Sequence, residues 1–215
     1  MKSSARPADR IHVAVFAKAP VAGQVKTRLA GVLGAEGAAG LHAGLVRQAL
    51  ATAVQSEVGP VELWCAPDEG HPFFARCAVE TGVTLHRQQG EDLGARMAHA
   101  FERAFAANRA LILIGSDCPA LAPRHLKACA VALASHDAAF IPAEDGGYVL
   151  VAMSRAIPRV FDAMAWSSEG VMGATRERLR TAEARWHEQP ALWDVDRPDD
   201  YARLQREGLL REVLS

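Results

Sequence analysis

Residues 110–114 read Ala-Leu-Ile-Leu-Ile and run directly into Gly115-Ser116-Asp117-Cys118-Pro119. Five apolar residues without alternation fit a strand covered on both faces, the situation of a parallel sheet between two helical layers. The chain around this strand keeps the same rhythm. Upstream, Ile11–Ala17 reads as a strand closed by a turn with Pro20 and Gly23. Leu29 to about Val54 follows as an Ala- and Leu-rich helix, then Val61–Ala66 as a strand and Pro72–Glu80 as a short helix. Val83–His86 is expected as a strand, and Asp92 to about Asn108 as a helix capped by Asp92. Downstream, Pro123–Ala134 starts with Pro in its first turn, as helices tolerate. Ala138–Pro142 and Tyr148–Met153 are strands around Gly146-Gly147, and helices are expected near Pro158–Met164 and Val171–Ala182. Arg185–Glu188 is a short strand and Pro198–Glu207 the closing helix.

Strands alternating with helices predict an α/β fold: a three-layer, doubly wound, mostly parallel sheet. No repeat or linker divides the chain. The reading is one domain over residues 11–215, after a disordered leader at residues 1–10. In such sheets ligands sit beyond the carboxyl ends of the strands where strand order reverses. The loops after Ile11–Ala17 and after Ala110–Ile114 are therefore the first places to look for chemistry.

Lys plus Arg is 24 and Asp plus Glu is 25 in 215 residues. That balance gives no electrostatic case for nucleic acid as a partner. The apolar run Ile11–Ala17 is too short to span a bilayer, and no membrane span is expected. Cys65, Cys77, Cys118 and Cys129 form no C-x-x-C pair, which fits reduced thiols in a cytoplasmic protein.

Four segments carry candidate chemistry. Between Lys18 and Arg28 the first loop holds three cations, Lys18, Lys26 and Arg28, with Gly23 and Thr27, just before a helix. Turn N–H groups plus such cations make a phosphate cradle. A Walker P-loop is excluded because Val25, not Gly, precedes Lys26-Thr27. Asp117 ends a central strand among small residues, where one carboxylate is enough to help hold Mg²⁺ or Mn²⁺ against phosphate oxygens. Asp194 and Asp196 in Trp193-Asp194-Val195-Asp196 lie two apart and share a face if extended, so either one completes the metal site. Glu144-Asp145-Gly146-Gly147-Tyr148 is a tight turn that lets backbone approach a ligand. Asp92 and Arg96 stand one helical turn apart and join it as acceptor-side candidates. No G-x-G-x-x-G follows the first strand, which disfavours a nicotinamide enzyme.

In order along the chain, Phe16–Pro20 with Gly23–Leu29, Gln89–Met97, Gly115–Pro119, Asp145–Tyr148, Trp166-Ser167-Ser168 and Asp194–Asp196 resemble the motif blocks of one bacterial family. It is known as the DUF2064 family, or radical-SAM/selenodomain-associated transferase 1 family. Ala22, Ile141 and Ser168 depart from its usual Pro, Gly and Thr. The resemblance implies the GT-A fold of nucleotide-diphospho-sugar transferases, with distant similarity to guanylyltransferases. It implies a transferase that takes a nucleotide or nucleotide-sugar donor and a small-molecule acceptor. On that reading Asp117 and Lys26 are catalytic, Asp117 and Asp196 hold Mg²⁺ or Mn²⁺, and Lys18, Gly23, Lys26, Thr27 and Arg28 contact donor phosphates. Asp92, Arg96 and Asp145–Tyr148 would form the acceptor side. A non-catalytic nucleotide-binding protein of the same fold is the alternative.

Overall fold

A computed structural model describes residues 11–166 and 168–214. The leader expected at residues 1–10, and Ser167 of the Trp166–Ser168 block, lie outside the described residues.

Seven strands form one sheet in the order β3-β2-β1-β4-β6-β5-β7. They are β1 (Ile11–Lys18), β2 (Val61–Ala66), β3 (Thr84–Arg87), β4 (Ala110–Ile114), β5 (Ala138–Pro142), β6 (Tyr148–Met153) and β7 (Trp186–Glu188). β1 pairs in parallel with β2 and β4, β2 with β3, and β5 with β7, while β6 runs antiparallel to both β4 and β5. From β1 the chain builds outward through β2 and β3, then returns past β1 to place β4 on its other side. The β1/β4 boundary is therefore where strand order reverses, the place beside whose carboxyl ends ligands sit in such sheets.

Helices cover both faces. α1 (Ala30–Gln55), α2 (Pro72–Thr81) and α4 (Pro123–Ala132) supply Leu50, Phe74 and Leu126 to one core layer with Val13, Val15, Ile112 and Ile114. α3 (Leu93–Ala106) and α5 (Val171–Thr181) supply Phe101 and Leu179 to the other, with Ala14, Phe16, Leu111 and Leu113. The alternate side chains of β1 and β4 thus fill opposite layers, and every residue of β4 is buried. α3 shows the matching helical pattern: Gly94, Met97, Ala100, Phe101 and Ala104 are buried on one stripe. Thr27–Gln55 is also long and apolar enough by composition to cross a membrane, which the sequence reading did not anticipate. Here Leu41, Leu45, Val46 and Leu50 bury that face in the core. A third cluster joins Leu29, Leu41 and Leu45 to Trp193, Val195, Leu204 and Val213, docking α6 (Pro198–Arg206) and α7 (Leu210–Leu214) beside α1. α7, and a 3-10 turn at Thr27–Leu29, were not expected from sequence.

The helix expected near Pro158–Met164 is instead a series of turns. Ile157, Val160, Phe161 and Met164 are buried at spacings that imitate a helical stripe. Arg159 and Ala163 adopt positive φ, 61° and 43°, which interrupts a right-handed helix. The Arg178 guanidinium donates to the carbonyls of Val160 and Ala163, so partners outside the segment satisfy its backbone.

Candidate active site

At the end of β1 the chain turns through Gly23 (φ 77°) and reaches Lys26, a non-glycine residue in the left-handed region at φ 48°, ψ 37°. That conformation is uncommon for Lys and costs about 1 kcal/mol or more, a cost that clusters at functional positions. It aims the side chain inward. The Lys26 side chain is 4% exposed, with Nζ 2.7 Å from Asp117 Oδ1 and donating to the Val195 carbonyl at 2.6 Å. A buried ammonium so far from water needs such partners. Lys26 thus joins three separate segments: the β1 turn, the β4 turn and the stretch around Val195. Val195 N–H donates in turn to the Asp117 carbonyl at 2.8 Å. The segments around residues 26, 117 and 194–196 that the sequence singled out do come together at the switch point.

The Asp117 side chain is 47% exposed. Burial would raise its pKa, but the Lys26 ammonium, chief among its neighbours, outweighs that and holds the carboxyl below its ordinary value. Ser116 Oγ adds a long hydrogen bond at 3.4 Å. Asp194 behaves in the opposite way. Burial first, then the negative charges of Asp117 and Asp145, push its pKa up to about 7. Asp196 forms an ion pair with Arg28, and its backbone N–H donates to Asp200 at 3.1 Å. Asp196, the second metal ligand that the resemblance implies, is thus paired with Arg28, whereas Asp194 is the acid whose charge interacts with that of Asp117. Among the described residues no three His, Cys, Asp or Glu side chains form a ready-made metal cage. Mg²⁺ does not require one, since it is commonly held by one or two carboxylates, waters and substrate phosphates.

Lys18 ends β1 with an exposed side chain, and Thr27 and Arg28 open the 3-10 turn at the mouth of the crevice. The acceptor-side candidates form a second group. Asp92 caps α3 by accepting from Ala95 N–H at 2.8 Å, and Arg96 Nε donates to the Gly90 carbonyl at 3.1 Å, so both shape their own loop. Asp145 accepts from Gly147 N–H at 3.0 Å, and its charge reaches Asp194. Tyr148 packs edge-on against Phe140 and Trp166, and burial pushes its hydroxyl pKa up. Trp166 lies against Gly94, where a Cβ would meet its ring at 2.7 Å. The three motif blocks around Gly94, Gly146 and Trp166 therefore share one wall.

Gly146 has φ 93°, and a Cβ there would lie 2.2 Å from the Glu169 carbonyl oxygen. Both the dihedral and the close approach demand glycine. Gly146→Ala is expected to destabilise the chain by about 2–4 kcal/mol, read as a lower midpoint in urea. A midpoint equal to wild type would show that the turn and the 168–170 segment are not packed this way.

His42 was missed by sequence reading. It stands in a helix rich in Ala, Gly and Leu, and its position on the buried face beside Leu41 and Leu45 was the available signal. Burial lowers its pKa more than Asp117 raises it. The four cysteines are buried free thiols, and burial pushes Cys118, beside Asp117, up to about 12.

The profile of the family described as an uncharacterised protein conserved in bacteria, DUF2064, matches residues 49–168. That span includes the Asp92, Asp117 and Asp145–Tyr148 segments, while the basic turn and the Asp194–Asp196 segment lie outside it. No curated protein sequence matches the chain. Among solved structures, a candidate nucleotide-diphospho-sugar transferase from Desulfovibrio desulfuricans G20 is similar at TM-score 0.80 and 30% identity, over 94% of this chain and 97% of that one. A nucleotidyl transferase from Methanothermobacter is similar at TM-score 0.66 and 15% identity, over 94% and 99%. A cytidylyltransferase from Leptospira borgpetersenii follows at TM-score 0.59 and 15% identity, over 91% and 85%. The last two identities speak for the fold, which is that of nucleotidyl and nucleotide-sugar transferases. With the matched profile and the 30% identical structure, this chain belongs to the DUF2064 family.

Proposed function

We propose that this protein is a metal-dependent transferase acting on a nucleotide or nucleotide-sugar donor and a small-molecule acceptor. The observation that carries the reading is the meeting of Lys26 and Asp117 at 2.7 Å across the β1/β4 switch point. A cation-bearing turn and an acid at the end of a central strand are what a phosphate-containing donor and its counter-ion require on one site. Lys18, Arg28 and the turn N–H groups around Gly23 and Thr27 receive the donor's phosphates, with the buried Lys26 ammonium adding its charge from behind them. Asp117 holds the divalent ion. Arg28 engages Asp196, and Asp194, whose charge interacts with that of Asp117, takes the place of second ligand. A carboxyl kept protonated near neutrality by burial and neighbouring acids fits that role, because a bound cation relieves the repulsion. Hard oxygen donors of this kind suit Mg²⁺ or Mn²⁺.

When bound, the ion neutralises charge on the donor phosphates. The chain's own residues align and shield: the Lys26 ammonium is preorganised by two hydrogen bonds, and the Asp145–Tyr148 turn forms the acceptor wall. Most of the rate enhancement in such a site comes from alignment and charge stabilisation. No covalent nucleophile is needed.

The test is a panel of nucleoside triphosphates and nucleotide sugars, with Mn²⁺ or Mg²⁺ and candidate acceptors, followed for pyrophosphate or free nucleotide. Ion-dependent release from one donor class is the expected result. Nucleotide binding without release from any donor would favour an accessory role.

A further inference from the structure

His42 projects from α1 towards the space between the end of β1 and the β4 turn. Its Nε2 lies 3.0 Å from the Lys18 carbonyl oxygen, which can only accept, so Nε2 carries the proton. In the neutral ring, which burial favours, Nδ1 then keeps its lone pair. It is buried, has no hydrogen-bond partner, and faces Asp117 Oδ1 at 3.9 Å. Two acceptors therefore confront each other with no donor between them. A buried acceptor left unmatched costs free energy that a leucine of similar size would avoid. Lys26 is already committed, with Nζ donating to Asp117 Oδ1 and to the Val195 carbonyl.

We infer that His42 is a positioning residue for the divalent ion: its Nδ1 accepts a hydrogen bond from a water coordinated to the ion on Asp117. This rests on the metal reading above. Mg²⁺ and Mn²⁺ keep several waters when few carboxylates hold them, and a coordinated water is a strengthened donor. Partners of this kind orient metal ligands and tune affinity in many sites. Through Nε2 the same ring grips the Lys18 carbonyl. His42 thus links the strand end where the basic turn begins to the ion on the neighbouring strand.

The experiment measures Mn²⁺ affinity of the full chain by electron paramagnetic resonance of the free ion, for wild type, His42→Leu and His42→Gln. Binding about tenfold weaker is expected for His42→Leu, with His42→Gln, which keeps an acceptor, within about threefold of wild type. In wild type, the ¹⁵N resonance of His42 Nδ1 is expected to move towards the hydrogen-bonded range on saturation with Mg²⁺ while Nε2 holds. This arm decides the matter if His42→Leu fails to fold. Equal Mn²⁺ affinity in wild type and a folded His42→Leu, or an unmoved Nδ1 resonance, overturns the role of His42 and leaves the metal reading standing. Absence of Mn²⁺ binding to wild type overturns both.

Discussion

Asp117→Asn is expected to weaken Mn²⁺-dependent binding of a nucleoside triphosphate by about 100-fold or more, measured by calorimetry. The substitution keeps the shape of the side chain and an oxygen for Lys26, but removes the charge proposed to hold the ion. It also strips the counter-charge from an ammonium that is 4% exposed. Breaking a fully buried pair costs about 3–5 kcal/mol. Asp117 is 47% exposed, so water screens the pair and the loss is nearer ~2 kcal/mol. Stability and binding can then be separated with a second change. Lys26→Met in the Asp117→Asn background removes the stranded ammonium and is expected to recover part of the lost stability without recovering ion-dependent binding. Unchanged nucleotide affinity in Asp117→Asn would remove Asp117 from the metal site.

The sheet and its site were legible for different reasons. Ala110–Ile114 announced a doubly covered strand because burial on both faces leaves no polar position, and β2, β5 and β6 were bounded correctly by Gly, Pro and acid-rich turns. The switch point followed from the βα rhythm, and it directed attention to the turns that hold Lys26 and Asp117. What failed was local pattern without context. Ile157, Val160, Phe161 and Met164 have helical spacing, yet the Arg178 guanidinium on α5 takes up the Val160 and Ala163 carbonyls of that segment. Spacing also left Asp194 and Asp196 equivalent. Only the fold separates them, by giving Arg28 to one and buried acidic neighbours to the other. His42 was invisible because its role depends on the Lys18 carbonyl and Asp117, 24 and 75 residues away in sequence.

Asp194→Asn is expected to make the ion-free protein more stable than wild type at pH 8, and no more stable near pH 4. The sign follows from linkage. Burial, then Asp117 and Asp145, raise the Asp194 carboxyl from its ordinary 3.8 to about 7 in the folded chain. The folded state therefore binds a proton that the unfolded chain releases. Its contribution is complete below about pH 4 and is lost as pH rises through 7. Each tenfold difference in proton affinity is about 1.4 kcal/mol, so ionising Asp194 at pH 8 costs the folded state roughly 2–4 kcal/mol. Asn keeps the volume and cannot ionise. For a chain of this size that corresponds to a rise in Tm of roughly 5–12 °C at pH 8, shrinking towards zero as pH falls to 4. Saturating Mn²⁺ reverses the order. Wild type gains from a cation among its carboxylates, by an amount set by affinity and concentration, whereas the Asn chain gains less. On the proposed metal reading, the repulsion around Asp194 becomes binding energy when a cation arrives, and wild type should release a proton on taking up Mn²⁺ near pH 6.5. A Tm difference between the two chains that stays constant from pH 4 to pH 8 would show that Asp194 ionises like an ordinary surface acid and does not share its charge environment with Asp117.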